Sequence, residues 1–506
     1  MSRITSALIS VYHKEGLEPI IRELNRLGIA IYSTGGTQAF IEKQGVPVHA
    51  VEDLTSYPSI LDGRVKTLHP KVFGGILARR EAAHQEQLTQ YEIPEIDLVI
   101  VDLYPFEETV ASTDEEAAII EKIDIGGIAL IRAAAKNFRD VVIIPSRGDY
   151  DFLLNLLREK DGQTDLEDRQ ELARRAFSVS SHYDTAIYRY FNREAEAPAF
   201  KHSILKNRTL RYGENPHQRG YFHGDLEAMF DVLNGKALSF NNLVDVDAAV
   251  NLMAEFRDAD PTFAILKHTN SCGVAIRPTL KEAWEAALAA DNISAFGGIL
   301  MANTPLDLAT AQEIDKIFYE VLIAPDFEAD ALAFLKKKKK RILLRIKDYA
   351  LPKRAFKSIL NGVIEQDADR KIEGTDDLTT VTKVSPTAEQ IKDLLFANRV
   401  AKHLKSNTIV LARGEQLLGM GCGQTSRVDA LKQAVEKAKR FGFALEGAVM
   451  ASDAFFPFAD SVEIAHGAGI TAVIQPGGSI RDKDSIAFCD AHNMAMVTTG
   501  VRHFKH

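Results

Sequence analysis

The stretch ALISVYHKEGLEPIIRELNRLGIAIYSTGGT, residues 7–37, decides how the first part of the chain folds. Ala7-Leu8-Ile9-Ser10-Val11 is an apolar run with the composition of a buried strand, and Leu17, Ile20, Ile21, Leu24 and Leu27 then recur at helical spacing. Ile29 to Tyr32 forms a second strand signature that ends in Ser33-Thr34-Gly35-Gly36-Thr37, before a short helix from Gln38 to Gln44. Val46–Val51, Ile96–Leu103 and Val141–Ile144 are further strands by the same reading, and Thr113 with Glu116 fits a capping box before another helix. Strands alternating with helices make a mostly parallel sheet covered on both faces, an α/β class.

At 506 residues the chain exceeds what one core supports, so two or three domains are expected. A helical stretch gives way near Glu194 to Phe200 to a proline-containing connector, which puts a boundary there: 1–195 and 196–506. The second part is again α/β. One unit runs through helix Ala248–Phe256, strand Phe263–Leu266, helix Leu280–Ala290 and apolar segment Ile299–Met301. A second runs through helix Ala388–Leu404, strand Thr408–Leu411, helix Val428–Arg440 and strand Thr471–Ile474. The parallel suggests two related subdomains, divided near residue 370.

Hydrophobic content of 46% and charged content of 26% are those of an ordinary soluble protein, and no apolar run is long enough to span a bilayer. The start lacks the apolar core of a secretory signal, and three scattered cysteines with no CxxC make no disulfide framework. A cytoplasmic setting is the natural reading. A net charge of −9 argues against general nucleic-acid binding, and the basic run Lys336 to Arg341 lacks the aromatic residues that base stacking needs, so it reads as a solvated helix end or loop.

Several segments can carry chemistry. Ser33-Thr34-Gly35-Gly36-Thr37 sits between strand and helix, where backbone N–H groups, hydroxyls and the helix N-terminus favour a phosphate; Ser10 and Lys14 can converge there. A well-capped plain turn is the competing reading. Asp62 to Lys71 packs Arg64, Lys66, His69 and Lys71 into a presumptive loop with Thr67 among them. Asp124-Ile125-Gly126-Gly127 can expose backbone donors to an oxyanion, or simply start the helix Ile128–Ala135. Lys136 can cap that helix's end, and Tyr104 can be packing. Lys267-His268 ends an apolar strand and leads into Thr-Asn-Ser-Cys-Gly, read as a loop. A His there can move a proton, and a Lys can stabilise an oxyanion; a plain strand terminus is the bland alternative. Gly419 to Arg427 reads as a glycine-rich loop, and Asp453 to Asp460 as an aromatic wall or as core. No metal site is expected: His84-Gln85-Glu86 gives an HxE without a PCxxC, and there is neither an HExxH nor a P-loop.

Taken in order, SxxxK at Ser10, STGGT at Ser33, DGRVKTLHPK at Asp62, DLYPF at Asp102, DIGG at Asp124, AAKN at Ala134, RYGENPHQ at Arg211, KHxN at Lys267, SAFGG at Ser294, KSN at Lys405, GxGQxSR at Gly421, SDAFFPF at Ser452, IQPGGSIRD at Ile474 and RHFKH at Arg502 span essentially the whole chain. They resemble the purine-biosynthesis family that joins AICAR transformylase to IMP cyclohydrolase. The resemblance implies a methylglyoxal-synthase-like parallel sheet first, then two cytidine-deaminase-like α/β subdomains without zinc. It implies formyl transfer from 10-formyltetrahydrofolate, a cosubstrate, to the 5-amino group of AICAR, then dehydrative closure of formyl-AICAR to IMP. In the transfer, His268 would move the amine proton and Lys267 would stabilise the oxyanion. Arg211, Tyr212, Asn242, Asn407, Arg427 and Arg502 would hold the nucleotide. Phe296, Gly297, Pro457 and Asp460 would line the folate side, and Glu320 matches an acidic position placed on the substrate. In the closure, Lys66, Tyr104, Asp124 and Lys136 would manage protons, Thr67 with Ile125 and Gly126 would hold the oxyanion, and Ser10, Lys14, Ser33, Thr34, Gly36, Thr37 and Arg64 would hold the phosphate. Members of the family are homodimers.

The chain departs from the family pattern at five places. Tyr12 stands for a common Ser, Asp102 for an Asn, Ser271 and Asn292 for prolines, and Ala459 for an Arg. Asp102 would put extra negative charge near the cyclisation site, and Ser271 would loosen its turn. A transformylase whose first domain only binds a phosphorylated effector is the competing reading.

Overall fold

Ala7, Leu8 and Ile9 have no exposed surface, so the first strand is apolar on both faces, as a central parallel strand must be. The computed structural model describes residues 2–61, 64–195, 199–349 and 351–506. Asp62 and Gly63 of the charged loop, and 196–198 of the connector, lie outside the described residues. The chain divides into two compact units, Met1–Leu205 and Lys206–His506.

In the first unit, β1 (Ser6–Val11), β2 (Ala30–Ser33), β3 (His49–Ala50), β4 (Leu98–Asp102) and β5 (Val142–Ile144) form one sheet in the order β3-β2-β1-β4-β5. Every pairing in it is parallel. The order reverses between β1 and β4, so a crevice opens beyond their carboxyl ends, where α/β sheets bind ligands. Helix α1 (Leu17–Arg26) buries Leu17, Ile20, Ile21 and Leu24, the stripe that its spacing predicts. Each such side chain contributes about 1.5–3 kcal/mol by leaving water. Two expectations change. The strand expected over 46–51 is only His49–Ala50, because Val51–Thr55 turns helical. The capping box at Thr113 does not form: the next helix, Glu116–Ile120, starts from Glu115 with no side-chain cap, and the Thr113 hydroxyl accepts from Glu115 N instead.

The second unit holds two six-stranded mixed sheets of identical topology. The first contains β6 (Phe230–Asn234), β7 (Thr262–Lys267), β8 (Asn270–Ile276), β9 (Gly298–Ala302), β10 (Tyr319–Ala324) and β11 (Ile342–Ile346), in the order β6-β11-β10-β9-β7-β8. A hairpin, β12 (Arg354–Ile359) with β13 (Gly362–Asp367), follows. The second sheet contains β14 (Thr379–Thr380), β15 (Ile409–Ala412), β16 (Leu417–Gly421), β17 (Val449–Ser452), β18 (Ala472–Gln475) and β19 (Ala495–Thr498), in the order β14-β19-β18-β17-β15-β16. Edge strand, helix, hairpin, helix and three parallel strands recur in the same sequence, so the faint repeat is structural. Its alignment is corrected, however: the counterpart of Gly298–Ala302 is Val449–Ser452, one strand earlier than Thr471–Ile474.

Both hairpins were obscured by polar sequence. Thr-Asn-Ser-Cys-Gly is the turn and start of β8, not a loop, and most of the glycine-rich 419–427 segment's first half is the end of β16. The glycines have a packing cause. A Cβ on Gly273 would sit 1.8 Å from Ala287 O of the next helix, and one on Gly421 would sit 2.0 Å from Ala430 O. Only glycine lets these strands lie against their helices. Among the described residues no helix is long and apolar enough to cross a membrane.

Candidate active sites

The carboxyl ends of β1, β2 and β4 deliver the polar groups of the first unit. Lys14 Nζ donates to Val11 O, and to Tyr12 O at 2.9 Å. Burial lowers the Lys14 pKa and Lys66 adds to that, against Asp102 and Glu15. Lys66 Nζ lies 3.4 Å from where a Gly35 Cβ would stand. Helix α2 (Gly35–Lys43) begins at Thr34 without a side-chain cap, so its first-turn N–H groups, Gly35 and Gly36 among them, take no side-chain cap from Thr34. Two cations near an uncapped helix start form a donor set of the kind that suits an anion.

The hydroxyls expected to join them are engaged inside the fold. Ser33 Oγ donates to Ile9 O at 2.8 Å, Thr34 Oγ1 to Glu52 Oε1 at 2.6 Å, and Thr37 Oγ1 to Val11 O at 3.0 Å. They shape the turn. Ser10 is half-buried at the end of β1, and Arg64 is ion-paired with Glu121.

Asp124 stands beside this crevice. Its Oδ1 accepts from Gly127 N at 2.6 Å, and its own N donates to the Tyr183 hydroxyl at 2.8 Å. Burial pushes the Asp124 carboxyl above the usual carboxylate value, Asp102 adds to this, and Lys66 with backbone hydrogen bonds from Gly127 and Tyr104 opposes it. Burial first, then Asp124, Glu121 and Tyr12, raises the Tyr104 phenol. Thr67 Oγ1 is 3.2 Å from a would-be Gly126 Cβ, which sets Thr67 against the start of α3 (Gly126–Lys136). Ile125, at its N-cap, is 60% exposed. Lys66, Thr67, Tyr104, Asp124 and Gly126 are thus brought together. Lys136 is not: it is exposed at the far end of α3, about 15 Å along the helix axis from Gly126.

Sequence reasoning passed over His13. Its Nδ1 lies 2.7 Å from Asp102 Oδ2, and its N donates to the same oxygen at 2.9 Å. The extra carboxylate of Asp102 is therefore engaged by the backbone and ring of His13. Tyr12 packs edge-on to Tyr104 at 5.2 Å, and Lys122 Nζ lies over both rings. The two departures thus form contacts of their own. A titratable pair at adjacent strand ends was the signal available.

In the second unit, Lys267 and His268 occupy a β-hairpin tip. Lys267 pairs with Asn270, while His268 and Thr269 take φ of 53° and 63°, the positive values that a tight two-residue turn requires. Asp245, another residue missed in sequence, holds the turn: it accepts from Thr269 N at 2.7 Å and His268 N at 3.3 Å. The His268 residue is exposed. Lys267 Nζ donates to Phe296 O at 2.7 Å, beside Gly297. Phe296 is 60% exposed and lies 5.4 Å from the Phe318 ring. Glu320 pairs with Lys236 at 2.8 Å. Arg211 lies over the ring of its neighbour Tyr212. Asn242 completes the capping box of its helix, whose N-cap is Ser239, its Oδ1 accepting from Ser239 Oγ at 2.9 Å. Ser271 does not loosen a turn: it is buried in β8 opposite Leu266.

A cavity of about 590 Å³ lies at the second repeat, with Asn407, Arg427, Pro457, Asp460, Arg502 and Phe504 on its wall. Arg427 is tied to Ser452 Oγ at 2.8 Å, to the buried Asp453, and to Asn407 Oδ1 at 2.8 Å. A string of hydrogen bonds joins this cavity to the hairpin tip. His268 O accepts from Asn270 Nδ2 at 2.9 Å, Asn270 Oδ1 from Cys422 Sγ at 3.2 Å, Cys422 O from Gln424 Nε2 at 3.2 Å, and Gln424 O from Asn407 Nδ2 at 2.9 Å. Among the described residues no cluster of three or more His, Cys, Asp or Glu side chains could hold a metal.

A parallel-sheet unit with an anion crevice at its switch point, followed by a duplicated mixed-sheet unit with a basic cavity, defines a two-site α/β enzyme. Residues 16–129 match the MGS-like domain, and residues 134–437 match the AICARFT/IMPCHase bienzyme. The chain belongs to the AICARFT/IMPCHase bienzyme family. It is 62% identical over 505 residues to the bifunctional purine biosynthesis protein PurH of Bacteroides thetaiotaomicron, covering 100% of this chain and 99% of that protein. It is 48% identical to the proteins of the same name from Pelodictyon phaeoclathratiforme and Chloroflexus aurantiacus, covering 99% and 100% of this chain and 99% of each of those proteins.

Proposed function

We propose that this chain transfers a formyl group from 10-formyltetrahydrofolate to AICAR and then closes formyl-AICAR to IMP, each step in its own unit. The observation that carries the two-step reading over a regulatory first unit is the crevice at β1 and β4. An effector pocket needs only the anion site formed by Lys14, Lys66 and the α2 N-terminus. Here a buried carboxyl, Asp124, and a phenol, Tyr104, both with raised pKa, stand beside it. The shift brings the Asp124 carboxyl toward neutrality, where it can exchange a proton, and keeps the Tyr104 phenol protonated as a hydrogen-bond donor.

In the closure, the carboxamide nitrogen attacks the formyl carbon of the same molecule, and the former formyl oxygen leaves as water with one proton from that nitrogen and one from the formamide nitrogen as the ring C=N bond forms. Lys14, Lys66 and the N–H groups of Gly35 and Gly36 hold the phosphate, with Ser10 and Arg64 at its margin and Ser33, Thr34 and Thr37 shaping the turn. Asp124, Tyr104 and Lys66 exchange protons, and Thr67 with the Ile125–Gly126 backbone faces the oxyanion. Holding one molecule in its reactive pose supplies much of the acceleration. In the transfer, the AICAR amine attacks the formyl carbon, His268 takes the amine proton, Lys267 stabilises the oxyanion, and the folate nitrogen departs protonated. The cavity at Asn407, Arg427 and Arg502 takes the nucleotide, with Arg211 and Tyr212 completing its hold. Pro457, Asp460 and Phe296 border the folate.

The molecule works as a homodimer in the cytoplasm. Supporting the dimer, β12 and β13 are exposed on both faces yet carry Phe356, Ile359, Val363 and Ile364, with Leu360 exposed in the turn between them. A two-stranded ribbon is marginal alone, and a second copy covers these side chains.

Incubation with AICAR and 10-formyltetrahydrofolate, resolved by chromatography, tests the reading. IMP is expected. Formyl-AICAR accumulating without IMP would leave the first unit regulatory.

A further inference from the structure

Residues 502–505 run as a strap along the second repeat, and they alternate. Arg502 and Phe504 face the cavity, while His503 between them is 3% exposed and turned inward. His503 Nδ1 lies 2.6 Å from Asp369 Oδ2, and its Nε2 lies 3.1 Å from Glu373 Oε1. A neutral imidazole has one N–H, so a carboxylate on each nitrogen calls for the imidazolium. Glu373 is 2% exposed, and its other oxygen accepts from Asn398 Nδ2 at 3.0 Å, on the helix Ala388–Lys402. The backbone is fastened at the same place. His503 N donates to the carbonyl of Asp453, the residue that holds Arg427, and Lys505 O accepts from Ser406 N.

We propose that His503 is a positioning residue for the nucleotide, an imidazolium clamped between Asp369 and Glu373 that holds Arg502 and Phe504 on the cavity wall. The proposal rests on the reading of that cavity as the nucleotide site. It gives the segment 369–373, between the two repeats, a task in binding: its carboxylates lock the strap from behind while Arg502 works in front. Breaking the clamp leaves Glu373 buried with Asn398 alone, a cost that the strap relieves by moving out toward water. The cavity wall moves with it.

The surroundings fix the pH range. Lys402 Nζ is 3.9 Å from Asp369 Oδ1 and bonds Glu255, which also takes His403 Nε2; Lys505 Nζ donates to His403 O. Burial alone would lower the His503 pKa, but hydrogen bonds and charge from Asp369 and Glu373 outweigh it and push the value to about 9. A raised pKa means that the clamp is intact below the ordinary value of 6.5 and is lost as pH passes about 9.

The test is calorimetric titration of AICAR into the full chain, with formyl-transfer kinetics alongside, for the parent, His503→Gln, Glu373→Gln, Asp369→Asn and Arg502→Ala. His503→Gln and Glu373→Gln should raise Kd about 10-fold, the loss of one charge-assisted contact, and kcat at saturating nucleotide should stay within about twofold. The parent's Kd should climb as pH passes about 9, and His503→Gln should flatten that climb. Parent-like Kd in His503→Gln, with binding weakened in Arg502→Ala, would overturn the clamp while keeping the cavity. Unchanged Kd in Arg502→Ala as well would overturn the cavity reading and the clamp with it. Should His503→Gln fail to fold, Asp369→Asn, at a half-exposed carboxylate, and the parent's pH titration decide: a flat result in both refutes the clamp.

Discussion

Gly127→Ala should disable ring closure while leaving the protein folded and the formyl transfer intact. A Cβ at this position would stand 2.6 Å from Asp124 Oδ2 and 3.0 Å from its Cγ. Ordinary contact begins at 3.4 Å, so the carboxylate must retreat by about 0.8 Å. Asp124 is short and is held by the N–H of Gly127 itself, so it cannot swing aside and keep that 2.6 Å bond. A misplacement near 1 Å costs on the order of 100-fold in a well-aligned reaction, and we expect closure to slow by about 10- to 100-fold. Stability should fall by no more than about 2.5 kcal/mol: an overpacking cost of about 1–3 kcal/mol, less about 0.5–1 kcal/mol from replacing glycine inside a helix. The assay is conversion of purified formyl-AICAR to IMP, with formyl transfer and thermal melting measured on the same preparation. Closure within about twofold of the parent, in protein that melts normally, would refute the assignment of Asp124 to proton transfer.

Lys66→Ala should abolish IMP formation and spare formyl transfer, because Lys66 reaches both the anion site and Asp124; equal loss of both activities would point to misfolding instead. Asp124→Asn should remove closure yet raise the melting temperature at about pH 8. The folded carboxyl's pKa lies above 3.8, so its contribution to stability is present in acid and lost as pH climbs through the raised value; the neutral amide avoids that loss, and the gain should fade on acidification. Lys402→Met should destabilise the second unit by about 1–3 kcal/mol, read by calorimetric melting, because Lys402 and Glu255 are 4% and 6% exposed and the carboxylate loses its ammonium partner while keeping His403.

The parallel sheet of the first unit was legible because buried strands announce themselves as near-continuous apolar runs, as at Ala7–Ile9 and Leu98–Val101. The second unit was harder to read. In β8, Ser271, Cys272 and Gly273 are all buried without looking apolar, since the strand's task is to let the helix Leu280–Ala290 approach closely. Family motifs located Lys66, Asp124, Lys267 and the cavity arginines. They could not say that Ser33 and Thr37 turn their hydroxyls into the fold, or that Lys136 sits a helix length from Asp124. Such facts depend on backbone direction, which spacing along a chain does not encode. His13, Asp245 and His503 were missed for a related reason: each acts through a partner distant in sequence, Asp102, the hairpin turn and Glu373 respectively.

The duplication explains how the first hairpin's tip comes to be linked to the basic cavity of the second repeat. Ala275, near the base of the first hairpin, bridges to Gln416 at the tip of the second, and Asn270, beside the first tip, bonds Cys422 at the second's base. The two hairpins therefore lie head to tail, as a twofold relation between repeats demands, and each tip meets the other repeat's open end. One such meeting places His268 by the strand ends that lead to Asn407 and Arg427. The other places Arg413–Gln416 by Ile276, where Arg277 bonds Gly414 O and Gln416 Oε1 and the junction is closed by its own side chains. A symmetric scaffold thus offers two equivalent positions. This chain has filled one with structural contacts and left the other with an exposed imidazole, a lysine and a cavity, the asymmetry that the single proposed formyl-transfer site calls for.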